Sequence, residues 1–135
     1  MITKDDPKNN IFIKPNLVDS YSPRSGIITS LKIIEAIILY FQKFYPDKKI
    51  VIGDGCALHS KMGRVLEKSG YGRLADRYGV EIADIDEAER KEFEWEYGVL
   101  NLPQYLLTHE YINVPKRIRP SDTPINSSLP CALTT

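Results

Sequence analysis

One short stretch, Ile50-Val51-Ile52-Gly53-Asp54-Gly55, constrains the fold of this chain more than any other. An apolar run without alternation is the pattern of a strand covered on both faces, which is the situation in a parallel sheet flanked by helices. The run stops on two glycines around one carboxylate. Glycine permits positive φ and close backbone approach, so residues 53–55 read as a strand end opening into a ligand-facing loop. In open α/β sheets ligands bind beyond the carboxyl ends of the strands, which makes Asp54 the first residue to watch.

The neighbouring segments fit that frame. Ile11-Phe12-Ile13 begins an earlier strand, interrupted at Lys14-Pro15-Asn16 before Leu17-Val18, because proline brings no N–H to a ladder. Residues 19–26 have loop composition. Thr29 or Ser30 is placed to cap a helix over residues 31–45 by accepting from its first-turn N–H groups. Leu31, Ile34, Ile37, Ile38, Phe41 and Tyr45 form a broad buried face on that helix, with Lys32, Glu35, Gln42 and Lys43 in a narrow polar stripe. Strand, helix, strand at this spacing implies parallel pairing with a right-handed crossover.

Further along, residues 61–69 read as a helix broken at Gly70-Tyr71-Gly72, with Tyr71 packing at the break. A shorter helical piece carrying Leu74, Ala75 and Tyr78 follows, and Gly79 stops it. Residues 80–86 read as a third strand. The charged residues 87–96 read as a solvated helix or an excursion. Residues 97–102 and 111–114 read as further strands, and 103–110 carry no clear assignment. The fold class is therefore α/β, a mainly parallel sheet with helices on its faces. Residues 1–116 form the domain, and 117–135 an irregular Ser/Pro/Thr-rich tail.

Composition narrows the function classes. Lys+Arg and Asp+Glu both number 18, a balance that argues against a nucleic-acid footprint. The apolar run in residues 33–41 is too short to cross a bilayer, and the polar start carries no signal-peptide pattern. A cytoplasmic, membrane-free protein is expected. Cys56 and Cys131 cannot hold a four-thiolate iron–sulfur cluster or zinc ion by themselves.

The candidate site gathers around Asp54, read either as a metal or substrate ligand or as a turn aspartate capping its own loop. Gly53-Asp54-Gly55 is no dinucleotide fingerprint, and a P-loop pattern is absent. Lys14 and Asn16, at the end of the first strand, could hold a carboxylate or phosphate beside the helix start at Thr29 and Ser30. The bland reading of that pair is a surface lysine and a turn asparagine. His59 could join Asp54 as a base or as a ligand to a divalent metal, against the reading of a solvated loop histidine. Asp84 and Asp86 are further metal candidates, with loop capping as the alternative. His109 is weighed the same way as His59, and Cys56 as a nucleophile or a small buried filler.

In order, Ile13-Lys14-Pro15-Asn16-Leu17-Val18, Thr29-Ser30 opening a helix through Glu35-Ala36, Ile52-Gly53-Asp54, Gly70-Tyr71, Gly79-Val80-Glu81 and Ile112-Asn113-Val114-Pro115-Lys116 resemble the bacterial and archaeal domain of unknown function 362. The resemblance covers residues 11–116. It implies a cytoplasmic α/β protein, in some members fused to ferredoxin-like iron–sulfur modules, with no general reaction attached. Two departures stand out. The Thr-His-Pro often found at the helix start is Thr29-Ser30-Leu31 here. After Lys116 the family's Leu-Lys-Thr-His-like continuation is replaced by Arg117-Ile118-Arg119-Pro120, which reads as a truncated or frameshifted domain. Three functional expectations follow: a cleft for a small anionic ligand or metal, a docking module for a ferredoxin-like partner, or an incomplete piece. An incomplete sheet would also leave an edge open to self-association.

Overall fold

The structure, a computed structural model, describes residues 10–17, 21–55 and 61–117. In chain order the elements are β1 (Asn10–Pro15), α1 (Leu31–Phe44), β2 (Ile50–Asp54), α2 (Met62–Ser69), α3 (Tyr71–Tyr78), β3 (Glu81–Asp84), β4 (Arg90–Trp95), β5 (Gly98–Pro103), α4 (Tyr105–Thr108) and β6 (His109–Val114). Four strands make one sheet in the order β3-β2-β1-β6, every pairing parallel. The α/β class expected from the sequence is what the chain adopts.

The two sheet faces are covered differently, and side-chain alternation decides which residue serves which face. Ile11, Ile13, Ile50 and Ile52 point to one side, where Ile34, Ile38 and Phe41 of α1, Val65 of α2, and Tyr71 and Leu74 of α3 bury them. Phe12, Val51 and Ala83 point to the other side, under Ile85, Tyr105 and Tyr111. Both β1–β2 and β2–β3 connections therefore run over the first face. The β3–β6 connection, which ends in α4, puts Tyr105 on the second face and brings β6 to the far side of β1.

Several local expectations need correction. Of the two readings of residues 87–96 the helix is wrong and the excursion is what forms: Arg90–Trp95 pairs antiparallel with Gly98–Pro103 as a separate hairpin, Phe93 opposite Leu100 and Trp95 opposite Gly98. Glutamates at alternate positions conceal a strand, since each solvated face of a hairpin tolerates them. On α1 the expected face does pack, Ile34, Ile38 and Phe41 in the core with Leu31, Ile37 and Tyr45 against it, but Ile33, Leu39, Tyr40 and Phe44 are apolar residues left exposed beside Lys32 and Gln42. Gly70 and Gly79 do act as left-handed helix ends, at φ 81° and 64°. Among the described residues no helix is long and apolar enough to cross a membrane.

Candidate functional site

The parallel register of β1 and β2, Ile13 opposite Ile52, brings the ends of these strands side by side. Lys14 and Asp54 meet there: the lysine Nζ lies 2.9 Å from Asp54 Oδ1, with the two side chains 19% and 7% exposed. Asp54 is fixed from its own loop and from its neighbour's. The Gly55 N–H donates to Oδ1 at 2.9 Å, and the Leu17 N–H donates to Oδ2 at 2.7 Å. Its carbonyl accepts from Ile85 N–H at 3.2 Å, tying in the end of β3. A buried carboxylate needs this many donors, and charge-assisted hydrogen bonds are the strong ones.

Asn16 and Thr29 form a second knot on the other side of β1. The Asn16 N–H donates to Thr29 Oγ1 at 2.8 Å, the Thr29 N–H donates to Asn16 O at 3.1 Å, and Asn16 Nδ2 donates to Ile27 O at 3.0 Å. The Thr29 hydroxyl in turn donates to Val114 O at 2.8 Å, at the end of β6. Tyr71, fully buried, donates its hydroxyl to Thr29 O at 2.8 Å. Thr29 is thus not the helix cap expected of it. Nor does Ser30 cap with its side chain, although it occupies the cap position; its carbonyl accepts from Ile33 and Ile34. The hydroxyl of Thr29 is worth more as a bridge between two strand ends, where each half-buried partner would otherwise lose its hydrogen bond.

The glycines of the Asp54 loop also serve differently from expectation. Neither Gly53 nor Gly55 has positive φ. A Cβ at Gly53 would stand 2.6 Å from Ala83 O and 2.7 Å from the Phe12 ring, so glycine is there to let the ring and the neighbouring strand close in. The nearest atoms to a Cβ at Gly55 are those of the Asp86 carboxylate, from 2.9 Å. Asp84 accepts from the Asp86 N–H at 3.0 Å, a local turn bond of the kind expected of a capping aspartate.

Of the residues singled out from sequence, Lys14, Asn16, Thr29, Ser30, Gly53, Asp54 and Gly55 all fall at this one end of the sheet. His109 does not: it pairs with Asn10 at the opposite end of β6, its ring edge-on to Tyr105 at 5.1 Å. His59 and Cys56 lie outside the described residues. Among the described residues, no three of His, Cys, Asp and Glu are grouped to hold a metal ion. Sequence reasoning missed Tyr71 and Tyr111 as neighbours of this region. Burial raises both hydroxyls, Tyr111 to about 12 and Tyr71 further, and the Asp54 charge adds to each. Nothing in the local sequence pattern points to a tyrosine from β6 or α3 as a partner of the β2 carboxylate.

The strand order adds a geometric reason to look here. From β1 the chain proceeds through β2 to β3 on one side, whereas β6 lies on the other. The reversal falls between β1 and β6, and in doubly wound sheets that is where a crevice opens at the carboxyl ends. Thr29 spans it, from Asn16 to Val114. An open groove of about 520 Å³ lies elsewhere, between α1 and Ile112 of β6.

The family model described as Domain of unknown function (DUF362) matches residues 11–126, most of the chain, which therefore belongs to that family. No curated protein and no solved structure matches it.

Proposed function

We propose that this member of the DUF362 family binds a small anionic ligand, a carboxylate or a phosphate, at the carboxyl ends of β1, β2 and β6. One observation carries the reading: Asp54 holds the Lys14 ammonium at the strand ends, next to the point where the strand order reverses. Lysine has three donors, and among the described residues Asp54 takes one, which leaves N–H groups for an incoming anion. The Ser30 side chain makes no capping bond at the head of the fourteen-residue α1, so its hydroxyl and the first-turn N–H groups are suited to the same ligand. Asp54, Asn16 and Thr29 are positioning residues in this scheme. Their polar groups are used in fixing the two loops, and Lys14 and Ser30 make the contact. The resident Asp54 charge opposes a second anion, so the expected affinity is modest and depends on ionic strength.

Thermal unfolding with inorganic phosphate and, separately, malonate is the test. A ligand that binds only the native state raises the melting temperature by mass action. A rise with either anion that disappears in Lys14→Met supports the site. No rise with either anion, or an equal rise in Lys14→Met, removes it.

A further inference from the structure

The edge of the sheet formed by β6 and the apolar side of α1 adjoin each other, and both lack a partner among the described residues. β6 pairs with β1 on one side and with no strand on the other. Beside it, Ile33, Ala36, Ile37 and Tyr40 of α1 line the open groove together with Ile112 of β6. Ile33 and Tyr40 are each 51% exposed and Phe44 52%. These positions recur every three or four residues and so make one stripe along the helix.

An occupant that satisfies both surfaces must supply a strand edge and, on the same side of it, an apolar helix. The residues after Arg117 are poorly suited to the first task, because Pro120, Pro124 and Pro130 each remove a ladder donor. A second copy of this chain supplies both in the right relation. The opposite edge, β3, is guarded in the usual ways: it is four residues long and carries Glu81 and Asp84. β6 has six residues without a proline, and its Ile112 opens onto the groove.

We propose that two copies join β6 to β6 antiparallel about a two-fold axis, making one continuous eight-stranded sheet with the two α1 helices packed across the seam. A two-fold interface is self-complementary, which an apolar stripe beside a free edge meets without further design. This interface shares β6 and α1 with the proposed ligand site but uses neither Lys14 nor Ser30, so it does not depend on ligand binding.

Light scattering after gel filtration, from about 1 µM to 1 mM, reads the association, and hydrogen exchange on β6 amides at the two ends of that range reads the edge. The expected result is a dimer with extra protection in residues 109–114. In Ile33→Glu/Tyr40→Glu, both at exposed positions that leave the fold intact, the dimer should weaken by at least about tenfold. Trp95, the single tryptophan, lies in the β4–β5 hairpin and its emission should not change on association. A monomer across the range overturns the proposal. So does a dimer that leaves β6 unprotected, one indifferent to the double substitution, or one that blue-shifts Trp95.

Discussion

Lys14 Nζ and Asp54 Oδ1 lie 2.9 Å apart at the ends of adjacent parallel strands, and the carboxylate also takes the backbone N–H groups of Leu17 and Gly55. Removing the carboxylate strands a lysine that is mostly withdrawn from water and leaves two N–H groups without their acceptor. Breaking a largely buried pair on one side costs about 3–5 kcal/mol. Asp54→Ala should lose stability near the low end of that range, since Lys14 retains some contact with solvent. Asp54→Asn, which still accepts from Leu17, should lose less. Urea denaturation measures both, and Asp54→Ala within 1 kcal/mol of the parent, about the net worth of one ordinary hydrogen bond, contradicts the structural role given to this residue.

Gly53 and Gly55 flank that aspartate and should respond differently to alanine. At Gly53 the new methyl meets a backbone carbonyl, Ala83 O, which cannot move without shifting β3, and a ring locked by Tyr105 and Tyr111. Overpacking of this kind costs about 1–3 kcal/mol. At Gly55 the methyl's nearest contact is the Asp86 carboxylate, the end of an exposed side chain that can swing aside. Chemical denaturation of Gly53→Ala and Gly55→Ala should rank them in that order. Equal losses at the two positions contradict the packing account of Gly53.

How much of this was legible beforehand depends on the range over which each residue acts. The run at 50–54 announces a buried parallel strand, because its pattern is set by its own burial, and Pro15 marks the end of β1 for a similarly local reason. That Lys14, Asn16, Thr29 and Asp54 share one end of the sheet follows from parallel order alone. Their roles do not. Thr29 resembles a helix cap in sequence, and only the arrival of Val114 from eighty-five residues away turns its hydroxyl into a bridge. Gly53 resembles a ligand loop until Phe12 and Ala83 are placed around it. The second arm of the hairpin, β5, was legible as a strand, but β4 escaped because both its faces meet solvent, so its charged residues carry no periodic trace of burial.

Tyrosine ionisation should limit stability in alkali. Burial, with the Asp54 charge behind it, lifts Tyr111 from 10.0 to about 12 and Tyr71 higher still. Between those values the unfolded chain releases a proton that the folded chain keeps. The stabilisation is complete below pH 10.0, the ordinary tyrosine value, and is lost as pH rises toward the folded values. The urea midpoint should fall above that pH, and in Tyr111→Phe the fall should be shallower. A midpoint that stays level in alkali contradicts the buried placement of both hydroxyls.

His109 sets the corresponding slope on the acid side. Burial holds its imidazole below the ordinary 6.5, against a weaker upward pull from Glu81. Just below that pH the unfolded chain binds a proton that the folded one does not, so stability is complete above 6.5 and falls as pH drops toward the folded value. Titration of the His109 ring protons by NMR should give a midpoint below that of a free histidine. A midpoint above 6.5 contradicts the desolvated placement against Tyr105.

Thr29 and Ser30 are adjacent hydroxyl residues with opposite expectations, and comparing them separates the scaffold from the ligand site. Thr29→Val keeps the shape but removes the acceptor of Asn16 N–H and the donor to Val114 O, both half-buried. Leaving such groups unsatisfied costs about 1–3 kcal/mol. Ser30→Ala removes a hydroxyl that caps nothing, so stability should change by less than about 0.5 kcal/mol, the usual range at the surface. If Ser30 contacts the ligand, the same substitution should reduce the phosphate-induced rise in melting temperature while leaving the ligand-free melt where it was. Thr29→Val should lower the ligand-free melt itself. A Ser30→Ala protein that responds to phosphate like the parent removes Ser30 from the site and leaves Lys14 to carry the anion without it.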